Sequence, residues 1–172
     1  LAFIKDNETV EKLTEDINEM EKMLNEYLQF TSSSYVEKDE MFDLSELISG
    51  VVEKYNNENI SQILIPRIYF NGRKNLINRC LNNLIDNAIK YSNKVEISLH
   101  KTNTNLLIII DDDGPGISKN EHENVFKPFY KIDKGRAESK SSVGLGLSIS
   151  SDIIKSHGGN IILEKSKMNG LR

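Results

Sequence analysis

Four short segments follow one another between residues 83 and 147. Asn83-Leu-Ile-Asp-Asn87-Ala-Ile-Lys90-Tyr91 comes first, then Asp112-Asp113-Gly114-Pro115-Gly116-Ile117, then Phe126-Lys127-Pro128-Phe129, then Gly144-Leu145-Gly146-Leu147. Each alone is a weak signal. In this order, within about 65 residues, they require a fold that gathers a helix face, a strand end and a glycine loop around one pocket. The elements between them fit that demand. Residues 73–91 have a helical period, with Leu76, Cys80, Leu81, Leu84, Ile85, Ala88 and Ile89 on the core side. Residues 94–101 and 105–111 read as antiparallel strands joined at Thr102-Asn103-Thr104, and 146–157 as a helix stopped by Gly158-Gly159. Upstream, Ser45 is positioned to cap a helix running to about Asn57, with Leu47, Ile48, Val51, Val52 and Tyr55 on its buried face. Ile63-Leu64-Ile65 and Ile68-Tyr69-Phe70 read as short strands around Pro66, and 160–165 as another. Gly170-Leu171-Arg172 reads as the start of one more, truncated strand. The pattern predicts an α/β fold of the α+β kind: a two-layer sandwich, a mixed sheet with helices on one face.

The chemistry of the segments points to a nucleotide with a metal ion. Asn83 and Asn87, four residues apart, share a face of their helix, with Lys90 and Tyr91 a turn further on. Carboxamide oxygens suit Mg²⁺, a hard cation that keeps several waters and takes few protein ligands beside phosphates. Lys90 adds positive charge for phosphate. On their own, two asparagines in an Asn-rich chain read more simply as a solvated face. Ile108-Ile109-Ile110 delivers Asp112 to a pocket edge, where a carboxylate accepts from an exocyclic amine such as that of adenine; alone, Asp-Gly and Gly-Pro mark a surface turn. Gly114 and Gly116 permit close backbone approach. Gly144 and Gly146 place bare amides at a helix N-terminus, a phosphate-binding arrangement. The charged, aperiodic stretch from Tyr130 to Val143 reads as a lid, and its Lys131 and Arg136 are candidates to reach the terminal phosphate. Phe126 and Phe129 are expected to pin the lid's base to the core.

The N-terminal stretch has a different period. Val10, Leu13, Ile17, Met20, Leu24, Tyr27 and Thr31 step by alternating threes and fours, the 3.5-residue period of a coiled-coil seam. Met23, Leu28 and Phe30 widen the stripe, as in a four-helix bundle. Thr31-Ser32-Ser33-Ser34 breaks the pattern. The expected organisation is a coiled-coil or bundle helix at 1–31, a linker at 32–40 and a nucleotide-binding domain at 41–172. Composition excludes other classes. Net charge is −4 with a pI near 5.5, so no basic field favours nucleic acid. The single Cys80 excludes an intrachain disulfide and reads as a buried structural thiol. No apolar run is long enough to cross a bilayer, and the chain is expected to be soluble.

Together the four segments resemble the N, G1, F and G2 boxes of the histidine kinase ATP-binding domain. This is the Bergerat fold, shared with type II topoisomerases, MutL-type repair proteins and Hsp90 chaperones. The resemblance covers roughly residues 40–172. Residues 1–31 resemble the second helix of the dimerisation and phosphoacceptor domain, and Asp16-Ile-Asn-Glu-Met-Glu-Lys-Met-Leu-Asn-Glu-Tyr-Leu-Gln-Phe30 is similar to osmosensor-type (EnvZ-like) kinases. The resemblance implies ATP and Mg²⁺ as ligands. Asn87 would ligate the ion, Asn83 would support the phosphates and the metal's waters, and Asp112 would read the adenine amine. Lys90, Tyr91 and Arg136 would contact phosphates, and Gly144-Leu145-Gly146-Leu147 would line the triphosphate. It further implies transfer of the γ-phosphate to a histidine and thence to a response regulator, homodimerisation through the N-terminal helix, and a cytoplasmic portion of an inner-membrane bacterial protein that itself touches no membrane.

Two departures sharpen that picture. The phosphoacceptor motif, His-Glu-Leu-Arg-x-Pro or its aspartate variant, is absent. His100 falls in a strand, His122 in a polar helix and His157 before two glycines. The chain alone is therefore expected to bind ATP without phosphorylating itself, and no catalytic residue is assigned. In hydrolysing clamps of the chaperone or mismatch-repair kind, a glutamate stands four residues before the metal-binding asparagine. Here that position is Asn83, which cannot act as a base. The clamp, and a nucleotide-binding module without transfer, are the alternatives.

Overall fold

The computed structural model describes residues 37–55, 58–132 and 144–172, with scattered positions between 10 and 28. The elements are β1 (Glu40–Asp43), α1 (Leu44–Glu53), β2 (Ile60–Leu64), β3 (Tyr69–Gly72), α2 (Lys74–Tyr91), β4 (Val95–Lys101), β5 (Leu106–Asp112) and α3 (Gly146–Ser156). Two single 3₁₀ turns, Lys119–Glu121 and Asn124–Phe126, stand where a polar helix around His122 was expected. The main sheet has the order β2-β4-β5. β2 runs parallel to β4, with Ile60 opposite Val95, and β5 runs antiparallel, with Asp112 opposite Val95. β1 and β3 form a separate antiparallel pair, Glu40 opposite Gly72. β1 thus opens at Glu40, the last residue of the stretch read as a linker.

Residue periodicity builds the core directly. Val95, Ile97 and Leu99 alternate onto one face of β4. There they meet Ile48 and Val51 of α1, Cys80, Leu81 and Ile85 of α2, and Ile149 and Ile153 of α3, all in one buried cluster. Each such side chain contributes about 1.5–3 kcal/mol on leaving water. Cys80 is buried, and desolvation pushes its thiol up to about 11, so it behaves as an apolar filler. The opposite sheet face carries no helix among the described residues. There Lys167 pairs with Glu96, and Arg172 with Asp111. This is the mixed two-layer arrangement expected from the sequence.

Several boundaries differ from expectation for identifiable reasons. α1 is capped by Asp43, whose Oδ1 accepts from the amides of Ser45 (2.8 Å) and Glu46 (3.2 Å). The Ser45 hydroxyl is turned inward instead, donating to the Ile65 carbonyl and accepting from the Ile68 amide. α1 stops at Glu53, where its last turn tightens through Lys54 N–H to Val51 O and Tyr55 N–H to Val52 O. Tyr55 then leaves the helix line to donate to Asp86 of α2. The two expected strands around Pro66 belong to different sheets. Residues 160–164 form no strand; an isolated bridge joins Lys165 and Leu171, and Asn169, at φ 73°, turns the chain back on itself. The described positions between Val10 and Leu28 are helical. Val10, Leu13, Ile17, Met20 and Leu24 of the seam are 46–66% exposed in the single chain. Tyr27 and Thr31 lie outside the described residues.

The Arg172–Asp111 pair is bidentate, Nε to Oδ1 at 2.9 Å and the terminal nitrogen to Oδ2 at 3.0 Å, with the Asp111 side chain 3% exposed. Burial alone would push this carboxyl up. Hydrogen bonds from Arg172 and Ser166 outweigh it and hold Asp111 below the ordinary carboxylate range. A depressed native pKa means that the unfolded state binds the proton more tightly. The pair's contribution is therefore complete above the unfolded value of about 3.9 and is lost as pH falls through the lower native value. Thermal unfolding between pH 7 and 3 is expected to show this acid loss in the wild type, and Asp111→Asn is expected to lower stability at pH 7 while flattening the acid limb.

Candidate functional site

α2 and α3 pack along one another, and this packing brings the first and last sequence segments together. Asn83 Nδ2 donates to the carbonyl of Gly146, the first residue of α3, at 3.4 Å. A Cβ placed on Gly146 would lie 3.7 Å from Asn87 Nδ2 and 3.8 Å from Asn83 Cβ. The glycine thus keeps a half-open cradle between the two carboxamides and the helix start. Leu145, at the capping position of α3, makes no side-chain hydrogen bond to the first amides of the helix. Leu145, 2% exposed, anchors the loop in the core, and Leu147 is half-buried.

The second segment lies against the C-terminal end of α2. Asp112, at the end of β5, is 8% exposed. Its Oδ1 accepts from the amides of Gly114 (2.8 Å) and Leu171 (3.0 Å), which fixes the carboxylate's orientation. Gly114 lies against the last residue of α2: a Cβ there would fall 2.7 Å from the Tyr91 carbonyl. Neighbouring Asp113 accepts from the amides of Asn93 and Lys94, each at 2.8 Å, and these backbone bonds hold its carboxyl below the usual range. That clasp fastens the exit from α2 to the 112–116 loop. Gly116 has φ 72°, and the Ile117 carbonyl accepts from His122 Nε2 at 3.1 Å. Lys90 and Tyr91 are exposed at the end of α2, with Lys90 Nζ 5.3 Å from the Tyr91 ring centroid.

The third segment meets the fourth. The Phe129 amide donates to the Gly144 carbonyl at 2.9 Å. Gly144 has φ 77°, and a Cβ there would come within 3.0 Å of the Phe129 and Tyr130 backbone, so a side chain at this position would be strained. The two ends of the stretch read as a lid are therefore held together. Lys131 is half-buried at its base; Arg136 and residues 133–143 lie outside the described residues. The anchor of that base is not as expected. Val125 is buried and Phe126 half-buried, but Phe129 is 57% exposed with φ 64°. Tyr130, whose hydroxyl donates to Glu121, supplies the tie instead. The three histidines are engaged locally. His100 contacts Ser98, His122 the Ile117 carbonyl, and His157 accepts from the Arg73 amide while its Nδ1 donates to Ile153 O.

Sequence reasoning did not place Gly170 and Leu171 against Asp112. A Cβ on Gly170 would lie 2.2 Å from Asp112 Oδ1, so Gly170 forms the wall behind the carboxylate. The Asn169-Gly170 pair was the available signal, since such a dipeptide marks a tight turn.

An asparagine-bearing helix packed on a glycine-opened helix start, with a strand-end carboxylate beside the loop that follows that helix, is an arrangement suited to a nucleotide-binding α/β domain. The family model described as histidine kinase-, DNA gyrase B-, and HSP90-like ATPase matches residues 72–172, and the chain belongs to that family. ATP is accordingly the ligand of this class of site. The sensor histidine kinase GtrS of Pseudomonas aeruginosa is 29% identical across 100% of this chain, which spans 36% of GtrS. The sensor histidine kinase CpxA of Escherichia coli is 37% identical over 59% of this chain and 22% of CpxA. The chain thus spans about a third or less of these curated relatives. Among solved structures, the catalytic domain of histidine kinase ThkA is 28% identical with a TM-score of 0.65, covering 76% of this chain and 90% of that one. The kinase domain of the E. coli osmosensor EnvZ is 30% identical with a TM-score of 0.58, covering 77% and 83%.

Gly170→Ala is expected to displace the Asp112 carboxylate and destabilise the domain by about 1–3 kcal/mol. Equilibrium unfolding together with nucleotide affinity reads both effects; unchanged values would remove Gly170 from the site.

Proposed function

We propose that this chain is the ATP-binding catalytic part of a two-component sensor histidine kinase, holding MgATP for γ-phosphoryl transfer to a histidine outside the chain and thence to a response regulator. The observation that carries the reading is the approach of Asn83 and Asn87 to the start of α3 at Gly146. Carboxamides half-buried beside bare amides suit a polyphosphate with a hydrated hard cation. The residues present therefore fit Mg²⁺: Asn87 would hold it and Asn83 would order its waters. When bound, the ion neutralises phosphate charge. Asp112 supplies the recognition end. With Oδ1 committed to two amides, Oδ2 is the oxygen offered to the adenine amine. Lys90, Tyr91, Lys131 and Arg136 add phosphate contacts, Gly114, Gly116 and Ile117 line the base side, and Gly144, Leu145, Gly146 and Leu147 the triphosphate side.

The chemistry asked of such a site is positioning and charge stabilisation. Asn83 supports that over hydrolysis, because a carboxamide bonded to a backbone carbonyl offers no base to activate water. The exposed seam from Val10 to Leu24 supports a helix at 1–31 that pairs with a second copy, followed by a linker at 32–40 and the catalytic domain at 41–172. No helix among the described residues is long and apolar enough to cross a membrane. The reading places the chain on the cytoplasmic side of a bacterial inner-membrane kinase.

Given ATP labelled on the γ-phosphate and a dimerisation domain carrying the acceptor histidine, the chain is expected to place acid-labile label on that domain; steady phosphate release without labelled protein would overturn the reading. Asn87→Ala is expected to abolish magnesium-dependent nucleotide binding by calorimetry. Asp112→Asn keeps an oxygen for the Gly114 and Leu171 amides but turns a donor toward adenine's own donor. It is expected to weaken ATP roughly 10- to 100-fold, the cost of about 1–3 kcal/mol for a mismatched buried polar pair, with the unfolding midpoint little changed.

A further inference from the structure

The N-terminus of α2 lacks a cap from its own neighbourhood: Arg73, at the capping position, makes no side-chain bond to the helix amides. The cap comes from 38 residues upstream. Glu37 Oε1 accepts from the Asn75 amide at 2.7 Å, and Oε2 from the Leu76 amide at 3.2 Å. A carboxylate here meets both the orphan amides and the positive end of the helix dipole. Two residues on, Asp39 lies 3.9 Å from Arg73 Nε. Arg73 reaches onward to α3: its terminal nitrogen donates to the Ser156 carbonyl (3.0 Å) and hydroxyl (2.6 Å), and its amide donates to His157 Nε2 (3.1 Å). The residues that lead into the domain, the start of α2 and the end of α3 are thus joined in one knot.

The knot sits at the opposite end of the helix pair from the cradle. α2 runs from the Glu37 cap to Asn83 in about two turns, roughly 11 Å. α3 runs from Gly146, beside Asn83, to Ser156, on Arg73. A displacement of Glu37 and Asp39 therefore pushes on α2 relative to α3, the same relative position that sets the gap between the Asn83–Asn87 face and Gly146. Packed helices slide as rigid bodies rather than deform.

We propose that Glu37 is a positioning residue that couples the segment entering the domain to the nucleotide cradle. This coupling rests on the nucleotide reading given above. It is reciprocal: what the Glu37 clasp gives to nucleotide binding, bound nucleotide must return to the clasp. A pull on the entering segment that opens the clasp lowers nucleotide affinity, and MgATP strengthens the hold on that segment.

The test compares Glu37→Ala and Glu37→Gln with Asp43→Ala, which removes an equivalent cap from α1, a helix that carries no site residue. Amide hydrogen exchange at Asn75 and Leu76 and MgATP affinity by calorimetry are read for each. Glu37→Ala is expected to speed exchange at both amides about tenfold and to weaken MgATP several-fold. Glu37→Gln, which keeps one neutral acceptor, falls between it and the wild type, and Asp43→Ala leaves MgATP affinity unchanged. In the wild type, MgATP slows exchange at Asn75 and Leu76. Unchanged exchange in Glu37→Ala would remove the clasp. Faster exchange with wild-type affinity, or an equal affinity loss in Asp43→Ala, would remove the coupling. Failure of the wild type to bind MgATP would overturn the nucleotide reading and the coupling with it, while the exchange data would still decide the clasp.

Discussion

The packing of α2 against α3 is the constraint from which the rest of the site follows. Its apolar part is ordinary: Cys80 and Leu81 share a core with Ile149 and Ile153. Its polar part fixes the register. At one end Asn83 donates to the Gly146 carbonyl, and at the other Arg73 donates to Ser156. Non-directional burial holds the helices together, and directional bonds at both ends set their register. The asparagine face and the glycine-opened helix start consequently sit beside each other before any ligand arrives.

Around this pair the remaining segments are tied by backbone geometry rather than side-chain chemistry. Asp113 fastens the end of α2 to the loop after β5, and Gly170 and Leu171 support Asp112 from behind. Asp112 is thereby a buried carboxylate with its Oδ1 committed to the fold. The neighbouring Asp111, on the other sheet face, is committed to Arg172 and Ser166. Two adjacent aspartates of one strand do different work because a strand turns successive side chains to opposite faces.

Much of this was legible in the sequence. The 73–91 helix, the 94–101 and 105–111 strands and the third helix were readable because their apolar periods are long and clean, and the four segments because their residue types suit one chemistry in one order. What escaped was non-local or ambiguous between neighbours. Ser45 and Asp43 are both good caps; which of them faces the helix amides depends on the Ile65–Ile68 backbone that claims the serine. Glu37 caps a helix nearly forty residues away, a distance no local pattern encodes. Phe129 looked like a core aromatic, yet the chain turns through it at positive φ, leaving the smaller Val125 to fill the core. Residues 160–165 carry the apolar run Ile161-Ile162-Leu163 of a strand, but the tight turn at Asn169-Gly170 pairs this segment with the residues that follow the turn at a single bridge, Lys165 to Leu171.

The hydrogen bond from Phe129 to the Gly144 carbonyl has a consequence for how this domain tolerates change. Because the flanks of the intervening stretch are already joined, the fold sets the distance that stretch must span whatever its own sequence. Closing a loop between fixed ends costs free energy only logarithmically in its length, roughly 0.6 kcal/mol per doubling. A change in the number of residues between Ile132 and Gly144 is therefore expected to cost the fold little. One backbone bond and one glycine thus uncouple the length of this stretch from the scaffold that carries it.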